Sequence, residues 1–269
     1  MHKTKIDWCD STWNPITGCL HGCEYCYARS IAKRFGGAND GEVDYEGEAI
    51  WTFEGKETGG CHVIDEPAKW YSDDGRTFRK APYPFYFDPT FHRYRLDEYQ
   101  NKKGRNIFVC SMADLFGDWV PDEWIEEVFA ACDKAPQHNY MFLTKNVKRY
   151  VKQGVPMLEN MWYETSITRE SDMHLFNSLP ACRNTFVSIE PILQDLEVEK
   201  HNTMFRLVDW FIIGAETGRR KNKVVPERKW IEDIVSECRK HNKPVFMKSS
   251  LADIWGEQLI QEFPETLRR

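Results

Sequence analysis

No apolar run in this 269-residue chain approaches the ~20 residues needed to cross a bilayer, and the opening MHKTKIDWCD has no continuous apolar segment of the secretory kind. The expectation is a cytoplasmic protein with no membrane contact. A surplus of positive charge is also missing: the net charge is −6, which gives no global attraction to nucleic acid, although a local basic surface stays open. The histidines show no H-x-x-x-H spacing, so a catalytic zinc on a helix finds no support. There are no internal repeats and no low-complexity tracts. A second cysteine pair at zinc-like spacing is absent as well. Nine cysteines, an odd count in a chain this long, do not make a disulfide scaffold and fit a reducing compartment.

The chain does have one dense stretch, NPITGCLHGCEYCYAR at residues 14–29, around which the rest is organised. Cys19, Cys23 and Cys26 are spaced C-x3-C-x2-C, with Tyr25 and Tyr27 flanking the third and Gly18 and Gly22 available for tight turning. Three thiolates this close can converge on one soft metal centre. A structural zinc site normally needs four ligands, whereas a 4Fe–4S cluster on three cysteines keeps one iron open for chemistry.

Around this stretch the pattern is α/β. Residues 13–17 read as a first strand, and residues 28–35 as a helix stopped by Gly36-Gly37. From Gly37 to Gly104 regular periodicity fades. The segment holds Trp51, Phe53, Trp70, Tyr71 and PYPFYF at 82–87, and it reads as an insertion, either a lid over the barrel mouth or a surface elaboration that buries its own aromatics. Thereafter apolar strand candidates at 106–111, 140–144, 161–166, 185–189, 210–214 and 244–247 alternate with amphipathic helices, the clearest starting at Pro121 and Pro226. The expected fold is a partial (β/α) barrel of six to seven parallel strands, one domain over residues 1–269, with residues 37–104 inserted after the first βα unit.

In such sheets the chemistry sits at the C-terminal strand ends. Those ends offer Asp114 and Asp118, then Thr144 and Lys145, then Glu164, Thr165 and Ser166, then Ser188 and Glu190, then Glu216 and Thr217, and last Lys248 and Ser249. Cys110, Cys132 and Cys238 fall on apolar faces and read as buried hydrophobes, while Cys9, Cys61 and Cys182 are undetermined. Two basic runs follow strands, Lys145/Lys148/Arg149/Lys152 and Arg219/Arg220/Lys221/Lys223. With the many aromatics they make a nucleic acid or nucleotide the leading substrate class.

The cysteine spacing, with an aromatic before the third cysteine, resembles the cluster loop of the radical S-adenosylmethionine (radical SAM) superfamily. Together with SMADLF, VPDEW, PQHNYMFLTK, SIEP, DWFIIGAETG and PVFMK, it also resembles the phage Gp37/Gp68 family, a domain of unknown function placed near those enzymes. The resemblance implies a TIM-barrel-like fold in which Cys19, Cys23 and Cys26 ligate a 4Fe–4S cluster. S-adenosylmethionine would bind the open iron and be cleaved to a 5′-deoxyadenosyl radical that abstracts hydrogen from a substrate, with electrons from an external donor. It implies that Tyr25 packs on the adenine, that Asp114 binds the methionine amino group, that Thr165 and Ser166 reach the ribose, and that Glu216 lies in a partly matching cofactor motif. Lys145 would meet a carboxylate of the cofactor or an anionic substrate group. A rival reading is a non-catalytic binding module, with structural zinc or an iron–sulfur cluster, that binds nucleic acid. A hydrolase using Glu190 or Glu216 ranks last, because it leaves the cysteines unexplained.

Overall fold

The computed structural model describes residues 4–36, 43–44, 49–50, 60–71, 76, 78–181, 184–218 and 220–268. Trp51, Phe53, Cys182 and Arg219 lie outside the described residues. The dominant element is a seven-stranded sheet, β1 Ser11–Trp13, β2 Asn106–Val109, β3 Asn139–Thr144, β4 Met161–Ile167, β5 Thr185–Ile189, β6 Trp210–Ile213 and β7 Val245–Met247. The strand order follows the chain, β1 through β7, and every pair from β3 to β7 is parallel. This is the α/β, partial-barrel topology expected from the alternating apolar runs. No helix among the described residues is long and apolar enough to cross a membrane.

The chain packs as two compact units. One holds residues 1–11, 105–107 and 139–269; the other holds 12–104 and 108–138. In the first unit, strand alternation separates two faces. Ile167, Val187, Ile189, Phe211, Ile213, Val245 and Met247 share a core with Ile231, Ile234 and Cys238 of the helix Arg228–Lys240. The opposite face carries an aromatic layer in which Trp210 meets Trp8, Trp162, Phe186, Phe246 and Phe263. Each such ring, removed from water, contributes roughly 1.5–3 kcal/mol. The outer edge of β7 does not stay bare. Met247 N–H donates to Ile260 and Glu262 N–H to Val245, so the C-terminal segment covers it.

In the second unit, the stretch expected as one strand over 13–17 is two. Pro15 cannot donate to a ladder, and the chain leaves β1 there. Asn14 instead accepts from the Ser111 hydroxyl and the Met112 N–H, and Ile16–Thr17 pairs antiparallel with Thr90–Phe91. The stretch expected as an insertion contains short strands: Cys61–Ile64 runs parallel to Thr90–His92, and Lys69–Tyr71 pairs antiparallel with Phe78–Lys80. Helix α1, Tyr27–Phe35, directly follows the cysteine loop, and helix α2, Asp122–Asp133, buries Trp124, Ile125, Val128, Phe129 and Cys132. Pro121 caps α2 rather than entering it, with Asp122 and Glu123 favourably placed in the first turn.

Candidate metal centre

The cysteine loop lies wholly in the second unit, and backbone constraints fix its path. Gly18 sits at φ +89°, and a Cβ built on it would fall 2.1 Å from the Asp88 carbonyl oxygen. Only glycine fits. Gly18 N–H donates to Met112 at 2.9 Å, and Cys19 N–H donates to Phe87 at 3.2 Å, so the loop is stitched to residues on both sides. Arg29, from α1, reaches back to the Cys19 carbonyl at 3.0 Å while its guanidinium lies 4.8 Å from the Phe87 ring centroid.

Cys19, Cys23 and Cys26 are all free and half-buried. Cys19 and Cys26 pack against an apolar cluster of Ala28, Ala32, Phe87 and Met112. Burial pushes the Cys19 thiol up to about 12, and the charges of Asp114, Cys23 and Cys26 push in the same direction. The three thiols and Asp114 are therefore electrostatic neighbours. Cys26 Sγ accepts the Arg29 N–H at 3.3 Å, capping α1. No three His, Cys, Asp or Glu side chains among the described residues are placed to hold a metal ion. The donor set itself, three soft thiols on one loop, fits an iron–sulfur cluster.

Sequence reasoning missed His21, which lies within the motif between the first two cysteines. Its Nε2 is 2.7 Å from Asp114 Oδ2, and its ring stands edge-on to Trp119 with centroids 4.9 Å apart. Asp114 Oδ1 also accepts the Phe116 N–H at 3.0 Å. Asp114, expected to bind an amino group, is thus a buried carboxylate that orients His21. Tyr25 is half-buried before the third cysteine, and the Tyr27 hydroxyl donates to the Ser111 carbonyl at 2.7 Å.

In the first unit the remaining candidates separate. Thr165 lies on the helix-packed face and Ser166 on the opposite one, so the two do not reach a common ribose. Ser166 donates to Glu164 Oε1, as does the Ser188 N–H at 2.9 Å, and Glu164 is fully buried. Glu190 and Lys248 form an ion pair across Gly214; a Cβ there would lie 3.1 Å from Lys248 Cδ and 3.3 Å from Glu190 Cδ. Glu216 is buried and gripped by Arg220, Nε to Oε1 and Nη2 to Oε2 both at 2.7 Å, which holds its carboxyl below the usual range. That pairing occupies the carboxylate expected to meet a cofactor. Lys145 stands half-buried just past β3. Of the two basic runs, one is interrupted because Arg149 is buried, and the other because Arg220 is committed to Glu216.

The family model described as a protein of unknown function, DUF5131, matches residues 3–263. The chain belongs to that family. The sequence blocks pointed to the Gp37/Gp68 name, whereas DUF5131 is the family shown. No curated protein matches this DUF5131 chain. Among solved structures it is similar to spore photoproduct lyase complexed with dinucleoside spore photoproduct, at TM-score 0.49 and 8% identity, covering 94% of this chain and 76% of that one.

Proposed function

We propose that this DUF5131 protein is a radical SAM enzyme whose cluster is held by Cys19, Cys23 and Cys26. The observation that supports this is the loop itself: three free thiols, with Cys23 and Cys26 both acting on the titration of Cys19, on a backbone that admits only glycine at position 18. When bound, the cluster and S-adenosylmethionine supply reductive cleavage of the sulfonium and a hydrogen-abstracting 5′-deoxyadenosyl radical. The chain's own part is positional. Phe87 and Met112 shield Cys19 and Cys26 from water, Arg29 holds the Cys19 carbonyl, and Asp114 fixes the imidazole of His21 beside the loop.

The geometry of His21 favours one rival, a structural zinc bound by three cysteines and one histidine. A carboxylate on one ring nitrogen, leaving the other for metal, is how ligating histidines are commonly oriented. One experiment separates the two readings. Anaerobic reconstitution with iron and sulfide, followed by EPR of the reduced protein, should give a cluster signal that shifts on adding S-adenosylmethionine. Cys23→Ala should lose the cluster and keep its fold by circular dichroism. Stoichiometric zinc in the native protein, with no cluster formed, would overturn the enzyme reading.

A further inference from the structure

We infer that the exposed face of α1 binds single-stranded nucleic acid beside the cysteine loop. This helix, YARSIAKRF, carries three cations and no acid in a chain whose net charge is −6. Helical spacing lines up Tyr27, Ser30 and Arg34 on the outward side with Lys33 next to them, opposite buried Ala28 and Ala32. Lys33 and Arg34 are exposed and pair with no acid among the described residues. Exposed aromatic residues stand at the two ends of the helix. Tyr27 is 46% exposed and Phe35 56% exposed, and the Arg34 guanidinium lies 5.2 Å from the Phe35 ring centroid. The Tyr27 hydroxyl donates to the Ser111 carbonyl, which anchors the side chain.

Unpaired cations between exposed rings suit phosphates alternating with unstacked bases, which a single strand presents and a duplex does not. An acidic peptide would use the cations and leave the rings in water. The face begins one residue after Cys26, so a bound strand would lie beside the proposed cluster loop. As a statement about substrate the inference rests on the radical reading; as a statement about binding it does not.

The test is fluorescence anisotropy of a labelled single-stranded oligonucleotide against the full chain, with and without reconstituted cluster. Lys33→Glu/Arg34→Glu should weaken binding at least tenfold and flatten the log–log salt slope by roughly 1.4, the loss of two phosphate contacts. Phe35→Ala should weaken binding about tenfold with the salt slope unchanged. Arg79→Glu/Lys80→Glu, an equal charge change on the exposed strand Phe78–Lys80, should leave affinity as it was. No binding at low salt, an equal loss in that control, or binding to anionic vesicles in place of the oligonucleotide would overturn the inference. Binding by a protein that carries stoichiometric zinc and forms no cluster on reconstitution would support it while removing the radical reading.

Discussion

Gly18 and Asp88 approach so closely that no side chain can stand between them, and the whole cysteine loop hangs on that contact. Gly18→Ala combines a left-handed φ with a backbone clash and should cost about 2–5 kcal/mol. Gly22, at φ +71° with open space around it, is the control: Gly22→Ala should cost only about 1–2 kcal/mol. Urea unfolding gives both numbers. Iron content after reconstitution should fall much further for the Gly18 variant.

Glu216 makes stability depend on pH. Its carboxyl titrates below the ordinary value because Arg220 donates to it, so the pairing contributes fully above the unfolded carboxylate range, near 4.3. The contribution is lost as pH falls through the lower folded value. Glu216→Gln should cost about 1.5–3 kcal/mol at pH 7. The gap between wild type and variant should close in acid, as paired urea titrations at pH 7 and pH 3 would record.

Trp210 is fully buried and touches five other aromatic rings. Trp210→Ala should cost about 3–5 kcal/mol, measured by chemical denaturation. Its Nε1–H also donates to the Glu262 carbonyl at 3.0 Å, so Trp210→Phe separates the hydrogen bond from the packing and should cost less.

Gly214 leaves room for the Lys248 stem to cross toward Glu190. Gly214→Ala presses on both side chains at 3.1–3.3 Å and should destabilise by about 1–3 kcal/mol. A double-mutant cycle with Lys248→Met would show the strain: the alanine should cost less once the ammonium no longer has to meet Glu190.

The parallel sheet was legible because strands buried on both faces read as continuous apolar runs, and the seven observed strands fall close to where those runs lie. The break at Pro15 was legible in principle, since proline cannot serve a ladder. The insertion's strands were not: Ile16 pairs with Phe91 and His62 with Thr90, partners chosen by tertiary packing across long separations. The site shows the same division. Local spacing exposed the three cysteines, but His21 and Asp114 meet over 93 positions and no periodicity links them. Period-two alternation alone would have parted Thr165 from Ser166. That Arg149 is buried while its neighbour Lys148 is exposed has no local signature, because the helix Lys148–Gln153 is short and mixed in character.

The burial that keeps Cys19 protonated bears on the proposed metal loading. A thiol held near 12 is almost wholly uncharged at neutral pH, hence a poor target for peroxide or alkylating agents. A metal must displace that proton to bind. On the proposed reading, loading iron should therefore release a proton from Cys19 and run faster in mild alkali.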